Sequence, residues 1–412
     1  MNKINTSPSA GTQGAEKSST TMTSLERRSS GALALIFALR MLGLFLVLPV
    51  FMLEARKYPG GDDPAMIGLA MGLYGLTQAL FQLPIGLASD RFGRKRVIVA
   101  GLLVFAAGSL MAATADSLTG LMVGRAIQGA GAVSAAVTAL LADLTRDGVR
   151  TKAMAMVGGS IGLMFALALV LAPLLNAWIG LSGIFGLTCA LAMAGVAVVL
   201  WVVPPEPEQH ANAPKGKFSD LLGHRDLLRL NFGVFILHTV QMSMWVAVPA
   251  MLVQSGLVKE QHWHIYLPAV LLSFVAMGML FSMERKGKLR KALLGAIGLV
   301  LLVQIGLGML AASGTIPTIW CMALLMFLFF CGFNALEATQ PSLVSRMAPA
   351  PLRGAALGAY NTLQSLGLFA GGAIGGAVAK WAGVPGLFVM TAMLTLLGLG
   401  ISLPLRPVGR HG

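Results

Sequence analysis

The sequence predicts an all-α integral membrane protein, with twelve transmembrane helices in two pseudo-symmetric halves of six. Three observations predict it. Of 412 residues, 56% are hydrophobic and only 11% charged, where a soluble domain carries about a quarter. The apolar residues gather into twelve runs of membrane-crossing length, split six and six by one long polar break. The basic residues, finally, are distributed very unevenly among the connecting segments.

Residues 1–26 are rich in Ser, Thr, Gly and Ala without an apolar core, and read as a disordered cytoplasmic tail rather than a cleaved signal. An N-terminal bundle over 27–203 holds runs 31–53, 66–88, 97–114, 119–142, 151–175 and 183–203. A C-terminal bundle over 230–405 holds runs 230–254, 264–283, 291–312, 317–340, 354–378 and 384–404. The second run is typical: at about 1.5 Å per residue it reaches roughly 34 Å, enough to cross a hydrocarbon core of about 30 Å. In lipid each segment must satisfy its own backbone polar groups, so the runs are helices. No alternating pattern of a membrane barrel is present. Pro204-Pro205-Glu206-Pro207 ends the sixth helix and opens a cytoplasmic central loop over 204–229, within which 218–228 has the pattern of a short surface helix. Fifty glycines suit close helix approach in lipid. Cys189, Cys321 and Cys331 lie inside apolar runs, without disulfide or ligand spacing, and read as small packing residues.

Net charge is +14. A basic chain can bind nucleic acid, but here the charges sit in short clusters between spans, where they set topology. Of the 30 Lys and Arg, segments on one side of the membrane hold only Arg56, Lys57, Lys259 and Lys380, while Arg40 and Arg125 lie inside spans. The others share the side of the N-terminus. This asymmetry places both termini in the cytoplasm.

Between the second and third spans runs Gly86-Leu87-Ala88-Ser89-Asp90-Arg91-Phe92-Gly93-Arg94-Lys95-Arg96. Gly93 permits a tight turn. Asp90, an acid among cations, either pairs with a neighbouring Arg or caps a helix N-terminus. Topology alone accounts for the basic residues but not for the glycines and the embedded acid. A weaker copy, Glu284-Arg285-Lys286-Gly287-Lys288, follows the eighth span, and Gly129 and Arg150 align with Gly332 and Arg353. The fourth span opens Gly124-Arg125-Ala126-Ile127-Gln128-Gly129; Arg125 either snorkels to the interface or serves a function together with Gln128 and Gly129.

A charge inside a span costs about 2.5–3.5 kcal/mol on insertion scales, so Arg40 must face protein or a wet cavity. Glu337 on the tenth span is its candidate partner, either in proton coupling or as a structural charge pair. His238, Gln241 and Trp245 follow helical spacing on the seventh span and either line a cavity or pack in the core. Asn334, Gln78, Gln82, Asn361 and Gln364 are further polar candidates. No nucleophile–base arrangement points to an enzyme, and the spacing of His262 and His264 is too weak for a metal site.

The Gly86–Arg96 loop resembles the signature loop of the major facilitator superfamily (MFS), and Arg125-x-x-Gln128-Gly129 resembles its second signature. The fifth span resembles a decayed antiporter signature: Gly159 and Pro173 are kept, while Ala168, Ala172 and Asn176-Ala177 replace glycines. Within the superfamily the chain is similar to the YajR-like group, through Leu39-Arg40-Met41-Leu42-Gly43, Tyr74-Gly75-Leu76-Thr77-Gln78, Ser89–Lys95, Gly124–Gly129 and Asp143-Leu144-Thr145-Arg146. It departs from many multidrug/proton antiporters in carrying Arg40, not a carboxylate, on the first helix. The resemblance implies a secondary transporter of the drug/proton antiporter group in the inner membrane, moving drug-like molecules or metabolites outward by alternating access. Uptake or facilitated transport of a sugar or organic anion is the alternative. It implies a proton gradient and no cofactor, a small-molecule substrate, and a monomer with lipid and no nucleic acid as partners. It further implies a gate in which Asp90 and Arg94, with Asp143, close the cytoplasmic side against the start of the eleventh helix near Gly354.

Overall fold

The structure, a computed structural model, describes residues 21–206, 221, 223–286, 288–349 and 352–405. Among these, eleven α-helices and two short 3-10 turns make up the fold, with no strand. The helices are α1 (Ser24–Glu54), α2 (Pro64–Phe92), α3 (Arg94–Ala113), α4 (Leu118–Ala130), α5 (Ser134–Asp143), α6 (Asp147–Trp201), α7 (Arg225–Gln254), α8 (Trp263–Arg285), α9 (Leu289–Ala312), α10 (Ile319–Met347) and α11 (Arg353–Ser402). We call the side where α1 begins the near face and the opposite side the far face.

Helix α1 starts at Ser24, inside the stretch whose composition reads as tail. The reason is local: Thr23 and Glu26 form a reciprocal capping box that satisfies the first free N–H groups. The fourth predicted span is broken at Gly131–Val133 into α4 and α5. Most of the predicted central loop, and part of the Glu284–Lys288 copy, lie outside the described residues.

Helices α6 and α11 hold 55 and 50 residues. Unbroken, each would reach about 75–80 Å, more than twice the hydrocarbon thickness. Each is interrupted by a glycine at positive φ: Gly180 (φ 64°) and Gly383 (φ 68°). Packing shows that the chain doubles back there. Phe165 lies 5.1 Å from the Phe45 ring, and Thr188 donates to the Gly43 carbonyl two residues away (3.1 Å). On one straight helix, Phe165 and Thr188 would be about 35 Å apart. Likewise Gly371 and Gly398 both approach α7, at Ser243 and Ile236. The two hairpins make the helix set compatible with twelve crossings.

Residues of α1 pack on α6, and residues of α7 on α11, so each half closes its first span against its last two. The halves meet along α2 and α11. An added Cβ at Gly68 would lie 2.3 Å from the Gly372 carbonyl oxygen, and one at Gly72 would lie 2.7 Å from that of Phe369. Only glycine permits this backbone approach. Toward the near face the two helices part: an added Cβ at Gly354 or Gly358 meets nothing within 4 Å, and one at Gly86 meets only Ala135 of α5.

Gly72→Val is therefore expected to destabilise the protein by about 1–3 kcal/mol, as overpacking does. This is read as a lower melting temperature of the purified protein. Gly158→Val, where an added Cβ meets nothing, is the matched control and leaves it unchanged.

Candidate gates and transport site

On the near face, Gly93 (φ 97°) turns α2 directly into α3. The turn seats Arg94 at the first position of α3, over the last turn of α2. Its guanidinium pairs with Asp90 and with Asp143 Oδ2 (3.1 Å), and donates to Ser89 Oγ (2.7 Å). Glu206 Oε2, from the chain leaving α6, accepts from the Arg94 backbone N–H (2.7 Å), where a helix start favours an acid. Lys95 Nζ donates to the Val203 carbonyl (2.9 Å). The Arg91 guanidinium lies over the Phe92 ring, and Gly86 packs on Ala135. Gly86, Asp90, Arg91, Gly93, Arg94 and Asp143 thus gather at one place. The described partners of Arg94 all belong to the N-terminal half or its outgoing chain. Among the described residues Arg94 does not reach the start of α11, where an added Cβ at Gly354 or Gly358 meets nothing within 4 Å.

The far face is where ion pairs join the halves. Glu54, buried at the end of α1, accepts from Lys57 Nζ (2.5 Å), from Asn176 Nδ2 of α6 (2.9 Å) and from Lys259 Nζ of the C-terminal half (2.5 Å). Asp63, the N-cap of α2, accepts from Lys380 Nζ of α11 (2.7 Å). The Lys380 ammonium and the Ala65 N–H hold the Asp63 carboxyl below the usual carboxylate range.

In the middle of the N-terminal half, two arginines converge on Tyr74. Arg40 is 1% exposed; it donates to Tyr74 Oη (2.7 Å), Gln78 Oε1 (3.1 Å) and Ser134 Oγ (3.1 Å). Arg125 is equally buried, so it does not snorkel. It lies 4.9 Å from the centre of the Tyr74 ring and donates to Gln128 Oε1 and the Met71 carbonyl, while Gln128 donates to Ser109. An added Cβ at Gly129 would lie 2.1 Å from the Tyr74 carbonyl oxygen, so this glycine sets how closely α4 meets α2. Among the described residues, neither arginine faces a carboxylate.

Arg40 and Glu337 are consequently not a pair. Glu337 instead meets His238 of α7 and Gln364 of α11. His238 Nδ1 lies 3.0 Å from the Val234 carbonyl and must donate to it, leaving Nε2 as an acceptor. Gln364 Nε2 donates to that Nε2 (2.8 Å) and to Glu337 Oε1 (3.2 Å). Glu337 Oε2 then faces His238 Nε2 at 3.5 Å and is buried without a hydrogen-bond partner. Two acceptors face each other, and one added proton would join them.

The other candidates fall elsewhere. Gln241 and Trp245 are buried in the C-terminal half, Trp245 with its ring 5.5 Å from Tyr266 of α8, and of their face only His238 reaches Glu337. Asn334 donates to Ser273 of α8 (2.7 Å) and does not contact Glu337. In the antiporter-like stretch, Pro173 is buried in α6. Gly159 is exposed, with nothing within 4 Å of an added Cβ, so it makes no close helix contact.

Sequence reading missed Glu54, Asp63, Asn176 and Glu206 as partners, and Lys57, Lys259 and Lys380 as more than topology. A signal was present: cations are rare on the far side, and three of the four counted there are in these ion pairs. No comparable signal marked Tyr74, whose role is to be shared by two distant arginines.

The model of the Major Facilitator Superfamily matches residues 31–372. The chain is 42% identical to the inner membrane transport protein YajR of Escherichia coli K12, over 92% of this chain and 84% of that protein. It is 28% identical to the multidrug resistance protein MdtH of Aeromonas salmonicida, over 86% and 88% of the two chains. In fold it resembles a bacterial homologue of the human lysosomal transporter Spinster, solved inward-facing and unoccupied, with a TM-score of 0.70 at 14% identity, covering 93% of this chain and 97% of that one. With its signature loop, buried arginines and paired hairpins in place, the chain is a membrane transporter for a small molecule, not an enzyme, and belongs to the Major Facilitator Superfamily.

Proposed function

We propose that this protein exports a drug-like molecule or metabolite across the inner membrane in exchange for protons, working as a monomer with both termini in the cytoplasm. One observation carries the reading: Glu337 Oε2 is an orphaned acceptor 3.5 Å from His238 Nε2, the ring nitrogen that accepts from Gln364. An unpartnered carboxylate oxygen beside an imidazole lone pair is a site for one proton, and an ionisable residue inside a span marks a substrate or proton path. In this reading the structure is the inward-facing state. The far face is the periplasmic side, sealed by Glu54–Lys259, Asp63–Lys380 and the glycine seam. The Arg94 cluster is the cytoplasmic gate, open, with Asp90 and Asp143 holding the guanidinium ready for the start of α11. The name of the MdtH relative supports efflux of drug-like molecules. A second reading, transport of an organic anion, is favoured by Arg40 and Arg125, two buried cations facing no described carboxylate.

Glu337→Gln is expected to lose proton-driven transport. In inverted vesicles with an imposed pH gradient, the wild type takes up substrate and the variant does not; uptake at the wild-type rate by the variant would remove Glu337 from the coupling step. The same vesicles offered organic anions test the second reading.

At the gate, Arg94→Ala and Asp90→Asn are expected to cut transport in proteoliposomes by roughly tenfold or more, the effect of about 1.4 kcal/mol between states. Expression and folding should hold, because the cluster lies at the membrane edge. Wild-type rates in both variants would contradict the gate.

At the seal, Glu54→Gln is expected to shift the population toward the outward-facing state, read as increased labelling of a far-face cysteine from the periplasmic side. The Asp63–Lys380 pair has a defined pH dependence. Because the Asp63 carboxyl is held below its ordinary range, the pair is intact above that range and is lost as pH falls through the lowered value. Its contribution to the seal is therefore constant near neutral pH and weakens only in acid, which a labelling series against pH will show.

A further inference from the structure

We infer that Gln78, Ser365 and Gln364 are positioning residues of a relay through which a proton on the Glu337–His238 pair unlocks the α2–α11 seam; this deepens the proton-site reading above and rests on it.

Among the described residues, the side-chain hydrogen bonds that join the two halves are Glu54–Lys259 and Asp63–Lys380 on the far face, and Gln78–Ser365 in the middle. Gln78 uses both ends of its amide. Oε1 accepts from Arg40 (3.1 Å), and Nε2 donates across the seam to Ser365 Oγ (2.8 Å). Ser365 is 1% exposed, so loss of this bond leaves Ser365 Oγ, a buried acceptor, without its donor. The bond also lies where the seam ends. An added Cβ at Gly75 would be 2.5 Å from the Ser365 carbonyl oxygen, whereas one at Gly358, two turns nearer the near face on α11, meets nothing.

Ser365 and Gln364 are neighbours on α11, and successive helical residues point about 100° apart. One helix therefore faces the N-terminal half through Ser365 and the proton pair through Gln364. The Gln364 amide nitrogen is fully committed, with one hydrogen on His238 Nε2 and the other on Glu337 Oε1.

That commitment makes the relay respond to a proton. His238 Nε2 has one lone pair. A proton from the aqueous phase that binds Glu337 Oε2 stays on that oxygen as a neutral carboxyl, whose O–H hydrogen-bonds to this lone pair, so that Nε2 can no longer accept from Gln364. Protonation also removes the negative charge that holds the amide at Oε1. Gln364 is released, α11 loses the tie that this residue makes to α7 and α10, and Ser365 on the same turn shifts against Gln78 and Arg40. The ionisable groups facing Glu337 are His238 from α7 and Tyr360 from α11, with Arg40 behind Gln78 across the seam.

The test uses the full chain in lipid nanodiscs, with Cys189, Cys321 and Cys331 replaced by serine and spin labels on Leu87→Cys and Gly354→Cys. The near-face distance between labels is followed from about pH 5 to about pH 8, the range in which imidazole groups change charge. The wild type is expected to change its distance distribution with pH. Glu337→Gln, Ser365→Ala and Gln78→Leu are each expected to lose that response while remaining folded. If Glu337→Gln loses the response but Ser365→Ala or Gln78→Leu keeps it, the relay is wrong and the proton site stands. If Glu337→Gln keeps it, or the wild type shows none, the proton site fails and the relay with it. Ser365→Ala removes a single oxygen, so a folding defect in Gln78→Leu leaves the outcome readable.

Discussion

The rest of the structure depends on how closely α2 and α11 approach on the far face. Where a backbone carbonyl lies 2.3 Å from the position of an added Cβ, only glycine fits, and Gly68, Gly72, Gly372 and Gly376 supply that on both helices. The contact is made by backbone atoms, so it is geometrically fixed and admits little slippage. It brings Asp63 to Lys380 at one end and Gln78 to Ser365 at the other. Beyond Gln78 the glycine contacts stop and the helices diverge. The seam is thus tight at one end and open at the other.

Charge is arranged around this seam with the signs separated, the two arginines buried and Glu337 partly exposed. The N-terminal half holds Arg40 and Arg125 on either side of Tyr74, one on its hydroxyl and one over its ring. The C-terminal half holds Glu337, with an imidazole and an amide as neighbours. A direct Arg40–Glu337 ion pair would neutralise both and hold the halves together through the middle. A guanidinium bound by neutral oxygens, and a carboxylate left with one free oxygen, keep each group responsive to what enters between them. The cost of burying them is offset by hydrogen bonds to nearly every donor, Arg40 Nε and Arg125 Nε being the exceptions.

The signature loop has a similar economy. Gly93 makes the turn, Arg94 fills the corner, and the acids come from three places in the chain: Asp90 one helical turn back, Asp143 at the end of α5 and Glu206 beyond α6. The break at Gly131–Val133 separates α4 from α5, whose end carries Asp143 to Arg94. The chain leaving α6 is tied down there through Glu206 and Val203 before it continues toward the C-terminal half. The segment joining the halves therefore begins at the Arg94 cluster.

Hydropathy and run length by themselves determined an all-helical membrane protein with two halves, because a span in lipid must be apolar and long enough to cross, and both properties are local. The Gly86–Arg96 loop was legible for the same reason: its acid, its turn glycine Gly93 and its first arginine contact lie within about one turn of each other. Pairing across the bundle was not legible. Arg40 and Glu337 are the natural partners when charge is the only guide, yet three-dimensional packing gives Arg40 to Tyr74, Gln78 and Ser134 and gives Glu337 to His238 and Gln364. The far-face seal, the bond from Gln78 to Ser365 and the hairpins at Gly180 and Gly383 were likewise decided only by tertiary structure. Each depends on residues distant in sequence, or on a backbone angle, and neither leaves a periodic mark on the chain.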